Sequence, residues 1–177
     1  MNPAWVLHTG RLVMAPVGWQ DLADLRALKG DAGVYGQMLG GVRDPWQVGA
    51  ELAADTAYWA ARGVGMWTVR LHEGGPAVGL AGIHDRPDGR GTALRFAFRP
   101  QDRGHGLARE AAAAALRFAH RQAGLPRVIG VAREANIGSR TVLGAIGMRE
   151  CDAFWRGRDR VLVYESVVSP PPADAWR

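Results

Sequence analysis

Residues 99–110, read as Arg99-Pro100-Gln101-Asp102-Arg103-Gly104-His105-Gly106-Leu107-Ala108-Arg109-Glu110, constrain this chain more than any other stretch. They follow an alternating apolar run, residues 92–99, and lead into an alanine-rich pattern of helical period. A strand must therefore end and a helix begin within a few residues, across Gly104 and Gly106. Such a junction presents free backbone N–H groups and the positive end of the helix dipole. That combination suits an anion, so a phosphorylated ligand is expected here.

The elements around this junction set the fold class. Residues 8–16 read as a short strand with Leu12 and Met14 on one face. A helix carrying Trp19, Leu22, Leu25 and Leu28 follows, with Gly30 beyond its end. Residues 33–41 are rich in glycine and read as a loop. Asp44-Pro45-Trp46-Gln47 is a helix start, with Asp44 as cap, Pro45 at the first helical position and Gln47 reaching back. That helix should reach about Arg62 and stop at Gly63. Residues 65–71, 77–84 and 92–99 form an antiparallel meander, because the turns between them are too short for a parallel crossover. A helix over 107–122 ends at Gly124, and Pro126 introduces a buried strand over 127–132. Asn136 caps a further helix that stops at Gly147. Residues 148–154 and 160–168 are the last strands.

The order β-α-α-β-β-β-α-β-α-β-β predicts an α/β (α+β) mixed sheet. A doubly wound dinucleotide fold would alternate strand and helix throughout. With no repeat or linker, residues 1–168 read as one domain. Residues 169–177, opening Ser-Pro-Pro-Pro, read as a flexible tail.

Composition bounds the partners. Of 177 residues, 47% are hydrophobic and 22% charged, as in an ordinary water-soluble domain. No apolar run is long enough for a membrane span, and the N-terminus lacks a basic-then-apolar signal. A single cysteine, Cys151, fits a reducing compartment, so the expected location is the cytoplasm. The net charge is +5, and Lys29 is the only lysine. Arginine-rich coding and polyanion binding both account for this excess. The arginines are dispersed and lack interleaved aromatics, which argues against a nucleic-acid module.

Two constellations carry chemistry. In Gln101-x-x-Gly104-x-Gly106, the missing Cβ atoms let phosphates approach the backbone. The N–H groups from Arg103 to Ala108 can face a pyrophosphate, and Arg103, His105 and Arg109 can add charge. A plain strand-to-helix turn would also need these glycines. The run Ala111-Ala112-Ala113-Ala114-Ala115 favours the ligand, since an all-small face lets the helix lie close to the sheet. A P-loop is excluded because Leu107 follows Gly106. A dinucleotide fingerprint is excluded because position 109 is arginine. In Asn136-x-x-Ser139, the two side chains lie on adjacent positions of one helix face. Capping by Asn136 alone would explain the first of them.

Together, in this order, these motifs resemble the GCN5-related N-acetyltransferase (GNAT) family, and within it the ribosomal-protein N-terminal acetyltransferases (RimJ/RimL-like). Thr9-Gly10-Arg11-Leu12 resembles that branch's opening strand. Pro100 to Ala111 follows its cofactor loop, with Arg103 where tryptophan is usual. Asn136-x-x-Ser139 and then Gly147-Met148 follow its second motif. The resemblance covers roughly residues 8–168.

The resemblance implies direct acetyl transfer from acetyl-CoA to an amine, without a metal. It implies that the backbone of Phe96, Ala97 and Phe98 pairs with the pantetheine arm. Arg103, Gly104, His105, Gly106, Leu107, Ala108 and Arg109 would hold the pyrophosphate. Asn136 would bond near the thioester, and Ser139 would serve the departing thiolate. The acceptor is an amine of a protein N-terminus or a small molecule; a homodimer is an allowed assembly, and neither membrane nor nucleic acid is an expected partner.

The chain departs from the family at two places. Leu143 stands where many members carry an acidic tyrosine, and residues 92–99 hold no carboxylate to act as base. His84 is then the candidate base, on the assumption of a near-ordinary histidine pKa. Its alternative role is to open the turn at Asp85. Glu134 reads as a solvated carboxylate, Cys151 as a small buried hydrophobe, and Trp46 and Trp155 as candidates to shape an acceptor pocket. A scaffold that binds acyl-CoA without transferring it is the rival reading.

Overall fold

The computed structural model describes residues 2–168, so the expected tail at 169–177 lies outside the described residues. One eight-stranded sheet runs in the order β1-β2-β3-β4-β5-β6-β8-β7. The strands are β1 (Leu7–His8), β2 (Val13–Pro16), β3 (Met66–Arg70), β4 (Ala77–Asp85), β5 (Thr92–Phe98), β6 (Arg127–Arg133), β7 (Arg149–Arg156) and β8 (Asp159–Val167). The α-helices are α1 (Leu22–Gly30), α2 (Ala32–Tyr35), α3 (Pro45–Arg62), α4 (Leu107–Arg121) and α5 (Ile137–Ala145).

The mixed sheet follows from its connections. Every neighbouring pair is antiparallel except β5 and β6, which α4 joins by a crossover. That parallel pair is short. It holds only at Ala93 opposite Ile129 and Leu94 opposite Gly130. Beyond these residues β6 stays on β8 as far as Arg133, while β5 stays on β4 as far as Phe98. The two strands therefore splay at their C-terminal ends, and the edge of residues 95–98 that faces β6 has no strand partner. The helices that follow them, α4 and α5, start at the mouth of this wedge.

Local chemistry sets the helix ends. Asp44 Oδ1 accepts from Gln47 N at 2.8 Å, Gln47 Oε1 accepts from Asp44 N at 2.9 Å, and Gly63 closes α3 at φ +63°. On α4, Ala111, Ala112, Ala115 and Ala119 are fully buried, so the helix axis lies close to the sheet as the alanine run requires. The core beside it is aromatic. Trp67 meets Trp59 and Phe118 edge-on, at 4.8 and 5.2 Å between ring centroids.

Four local expectations change. The opening strand is a small hairpin, because Thr9 N donates to Leu12 O and turns the chain between β1 and β2. The loop at 33–41 begins inside a helical turn, α2, capped by Asp31 Oδ1 on Gly33 N at 2.7 Å. The seventh strand runs on to Arg156, since a two-residue turn at Gly157 lets the hairpin close later. Cys151 is exposed rather than buried. It is the extra residue of a bulge on the edge strand β7, between Glu150 and Asp152, and so is left out of the ladder.

Candidate active site

The anion loop has the conformation its glycines allow. Gly104 and Gly106 sit at φ +81° and +76°, where a Cβ would be strained. Gly106 is the N-cap of α4 and provides no side-chain acceptor. The N–H groups of Leu107, Ala108 and Arg109 thus have no partner within the helix. Ala108 is half-buried, and Gly104, Gly106 and Arg109 are exposed at the end of a groove.

A network ties this loop to the start of the chain. Glu110 accepts from the Thr9 hydroxyl at 2.5 Å, from Arg11 N at 2.9 Å and from the Arg11 guanidinium at 2.7 Å. Arg11 Nη1 also donates to His105 O at 2.7 Å. Partial burial works against the charge on Glu110, but the bonds from Thr9 and Arg11 prevail and hold its carboxyl below its ordinary pKa. The Thr9-Gly10-Arg11 motif thereby fixes the loop that precedes α4. Sequence reading placed those residues in a strand and missed this role.

Of the predicted anion-loop residues, Arg103, Gly104, Gly106, Leu107, Ala108 and Arg109 line one groove and His105 does not; three of the seven also carry structural ties. Arg103 donates to Phe98 O at 3.1 Å and to Gly33 O at 2.6 Å, so its guanidinium braces β5 against α2. Its N–H closes a turn onto Pro100 O. His105 is exposed, lies off the groove wall and contributes its carbonyl to Arg11. Leu107 is buried under the loop.

The groove, of about 420 Å³, runs from this loop along Phe96, Ala97 and Phe98 to Asn136 and Ser139. Its far wall is α5, through Gly138, Thr141, Val142 and Ala145. Their spacing of three, one and three residues marks one helix face, a signal present in the sequence. A second, smaller pocket of about 80 Å³ lies on the other side of the wedge and includes His84, Arg95, Tyr35 and Leu143. The two cavities share Gln37, Met38, Phe96, Asn136 and Ser139. The segment after α2 that supplies Gln37 and Met38 is pinned by Arg103 on Gly33, and by Arg43 on Gly40 and Gly41.

At the junction, Asn136 Oδ1 caps α5 by accepting from Ser139 N at 3.1 Å. Its amide N–H₂ forms no hydrogen bond with the described residues, nor does the Ser139 hydroxyl. Leu143, one turn after Ser139, is buried against Gly130; a Cβ there would come within 2.6 Å of its Cδ2. The family's tyrosine position therefore carries packing and no hydroxyl.

His84 Nδ1 lies 3.0 Å from the carbonyl of Asp85, so Nδ1–H donates and Nε2 keeps its lone pair. Burial, and then the charge of Arg95, push its pKa down to about 3. This corrects the expectation of a near-ordinary histidine: the imidazole is neutral at any physiological pH, an acceptor rather than a switch. Trp46 and Trp155 are 79% and 70% exposed, and neither lines either cavity. Glu134 is exposed and pairs with Arg160. Among the described residues no cluster of His, Cys, Asp and Glu could hold a metal, and no helix is long and apolar enough to cross a membrane.

The family model for an acetyltransferase (GNAT) domain matches residues 11–149. No curated protein matches the chain. Among solved structures, an acetyltransferase from Agrobacterium tumefaciens is 26% identical, with a TM-score of 0.78 over 91% of this chain and 93% of that one. A GNAT-family acetyltransferase from Bacillus anthracis is 21% identical, with a TM-score of 0.76 over 92% and 98%. RimL, a ribosomal-protein alpha-N acetyltransferase solved with coenzyme A, superposes with a TM-score of 0.76 over 92% and 98% at 12% identity. The model match spans most of the chain, including the wedge, the anion loop and α5; the chain belongs to the GNAT family of acetyl-CoA-dependent acetyltransferases.

Proposed function

We propose that this enzyme acetylates the amine of a protein N-terminus or of a small molecule, at the point where the two cavities meet. The observation that carries this reading is that junction: Phe96, Asn136 and Ser139 line both the groove and the second pocket. The residues present suit acetyl-CoA. The glycines leave room for a pyrophosphate, and the first turn of α4 offers N–H groups and a positive dipole end. The unpaired edge of residues 95–98 can hydrogen-bond an extended amide chain in place of β6.

The chain's own residues then divide the work. Asn136 orients the thioester end through its free amide N–H₂. Ser139 hydrogen-bonds the departing sulfur through its hydroxyl and relays to it a proton taken from water, so the serine ends neutral. His84 accepts a hydrogen bond from the attacking amine through Nε2, and because it stays neutral the amine's proton leaves by way of water. No covalent enzyme intermediate is required. We place the enzyme in the cytoplasm, in keeping with its lone cysteine.

The rival reading, acyl-CoA binding without transfer, draws on Leu143 and on the lack of a carboxylate on β5. Thiol release from acetyl-CoA, followed over a panel of amines and N-terminal peptides, separates the two. Release that depends on the amine and falls in Ser139→Ala supports transfer. Calorimetric binding of acetyl-CoA without release under any amine supports the rival.

A further inference from the structure

Besides Asn136, Ser139 and the Nε of Arg133, the second pocket contains two further donors without hydrogen-bond partners among the described residues. Tyr35 is fully buried, and its hydroxyl finds no hydrogen-bond partner among the described residues. Arg95, on β5, forms no ion pair or hydrogen bond with any described residue. Both line the pocket beside His84.

The surrounding cations are already engaged. Arg43 donates to Glu51 and to the carbonyls of Gly40 and Gly41. Lys29, fully buried, donates to Glu51 at 2.7 Å and lies 3.9 Å from Asp55. At the rim, Arg86 pairs with Asp88, and Arg133 lies 3.2 Å from Asp159 as an ion pair, although its Nε forms no hydrogen bond. Lys29, Arg43 and Arg95 thus face only Glu51 and Asp55, and Arg95 is the cation in excess. Asp55 feels the charge of Arg95 but forms no ion pair with it, and burial raises its carboxyl above the ordinary range. A phenol buried without an acceptor is costly. Such costs persist where a ligand relieves them.

We infer that Arg95 and Tyr35 form an anion seat, and that the acceptor is an amine which also carries a carboxylate. The guanidinium fork fits a carboxylate with two parallel bonds, and the phenol supplies a third donor. The amino group then faces Phe96 and Ser139, where the two cavities meet. This deepens the proposed function and rests on it for the position of the amine.

The test uses pairs of amines equal in shape and different in charge: glycine, β-alanine and γ-aminobutyrate against their amides, and a tripeptide beginning with Asp against one beginning with Asn. In the wild type, kcat/KM for the acid should exceed that for its amide by about tenfold or more, the discrimination a bidentate charged pair provides. In Arg95→Met the ratio should fall to about one, and in Tyr35→Phe it should fall a few-fold. Preference confined to the small acids assigns the carboxylate to a metabolite; preference confined to the peptide assigns it to an acidic N-terminus. A wild-type ratio near one, or a ratio kept in Arg95→Met, overturns the inference and leaves acetyl transfer standing. If no amine releases thiol, the proposed transfer fails. The seat is then decided by calorimetry with N-acetylglycine and its amide: binding of the acid alone, lost in Arg95→Met, supports it, and equal or no binding overturns it. Acetyl-CoA calorimetry on each variant reports whether it is folded.

Discussion

Replacing Gly106 by alanine tests whether the loop's backbone, rather than its side chains, holds the donor. Gly106 sits at φ +76°, and an L-residue there costs roughly 1–2 kcal/mol. Alanine also stiffens the unfolded chain, which returns about 0.4–1 kcal/mol. With that strain kept in the folded loop, the net destabilisation is between about 0 and 1.6 kcal/mol, or at most roughly 6 °C in Tm for a chain of this size. Binding is a different comparison. If the free loop relaxes away from positive φ and must return to it around the pyrophosphate, the full strain opposes binding. At about 1.4 kcal/mol per decade, acetyl-CoA should bind about 5–30-fold more weakly. Gly124→Ala is the control. Its φ of +65° imposes a similar strain at the other end of α4, away from the groove. Gly124→Ala should lose Tm and keep its affinity. Gly106→Ala, whose free loop relaxes, should lose less Tm by scanning calorimetry and should lose affinity by titration calorimetry, because the strain it escapes when free is restored on binding. Gly106→Trp should abolish binding, because Gly106 lines the groove and an indole there would fill the space beside the α4 N–H groups. Wild-type affinity in Gly106→Ala, or equal losses in both variants, would refute the reasoning.

Glu110→Gln should weaken acetyl-CoA binding about fivefold, since it loosens Thr9 and Arg11 from the loop; the effect is kept modest by the half-exposed Arg11 side chain. Because the Glu110 pKa is depressed, its contribution to stability is present above the ordinary carboxylate range and disappears as pH falls through the lower folded value. The wild type should therefore lose more Tm than Glu110→Gln on acidification, as scanning calorimetry below about pH 4 would record. Ser139→Ala should lower kcat by about 10–100-fold with little change in the acetyl-CoA KM; an unchanged kcat hands the proton donation to water. His84→Gln should lower kcat/KM while leaving the pH–rate limb in place, because a group with a pKa of about 3 does not titrate in the assay range. A displaced limb would show His84 to be the titrating base. Since the folded His84 binds its proton more weakly than the unfolded one, it subtracts stability as pH falls from about 6.5 toward 3.

The parts of the fold and site that were readable share a physical basis. Periodicity and caps act over a few residues, so α3 between Asp44 and Gly63, α4 after Gly106 and the β3–β4–β5 meander could be read from local spacing. The glycines of the loop were readable because positive φ is a local demand. The wedge was not, since it depends on where β5 leaves β6, and no residue of either strand announces that register. Arg103 illustrates the same limit. Its charge suggested a phosphate contact; it lines the groove, and its Nε and Nη2 also hold the carbonyls of Phe98 and Gly33, ties that no local spacing shows. Gly33 lies seventy positions away. His84 was picked as a titratable group in the right place, but its pKa is set by burial and by Arg95, neither of which a sequence displays. Cys151 reads as core by residue type and is exposed because of a bulge on an edge strand. Thr9, Arg11 and Glu110 were all visible as motif residues; only the folded chain shows that they belong to one network.

The central claim is that acetyl-CoA lies in the wedge between β5 and β6 with its acetyl end at Ser139. A crystal structure of the protein with acetyl-CoA tests this most directly. The account predicts pyrophosphate oxygens within hydrogen-bond reach of the N–H groups of residues 104–109, the pantetheine along residues 96–98, and the thioester between Phe96 and Ser139. Acetyl-CoA bound with its pyrophosphate away from Gly104 and Gly106, or with its thioester outside the junction of the two cavities, would contradict it.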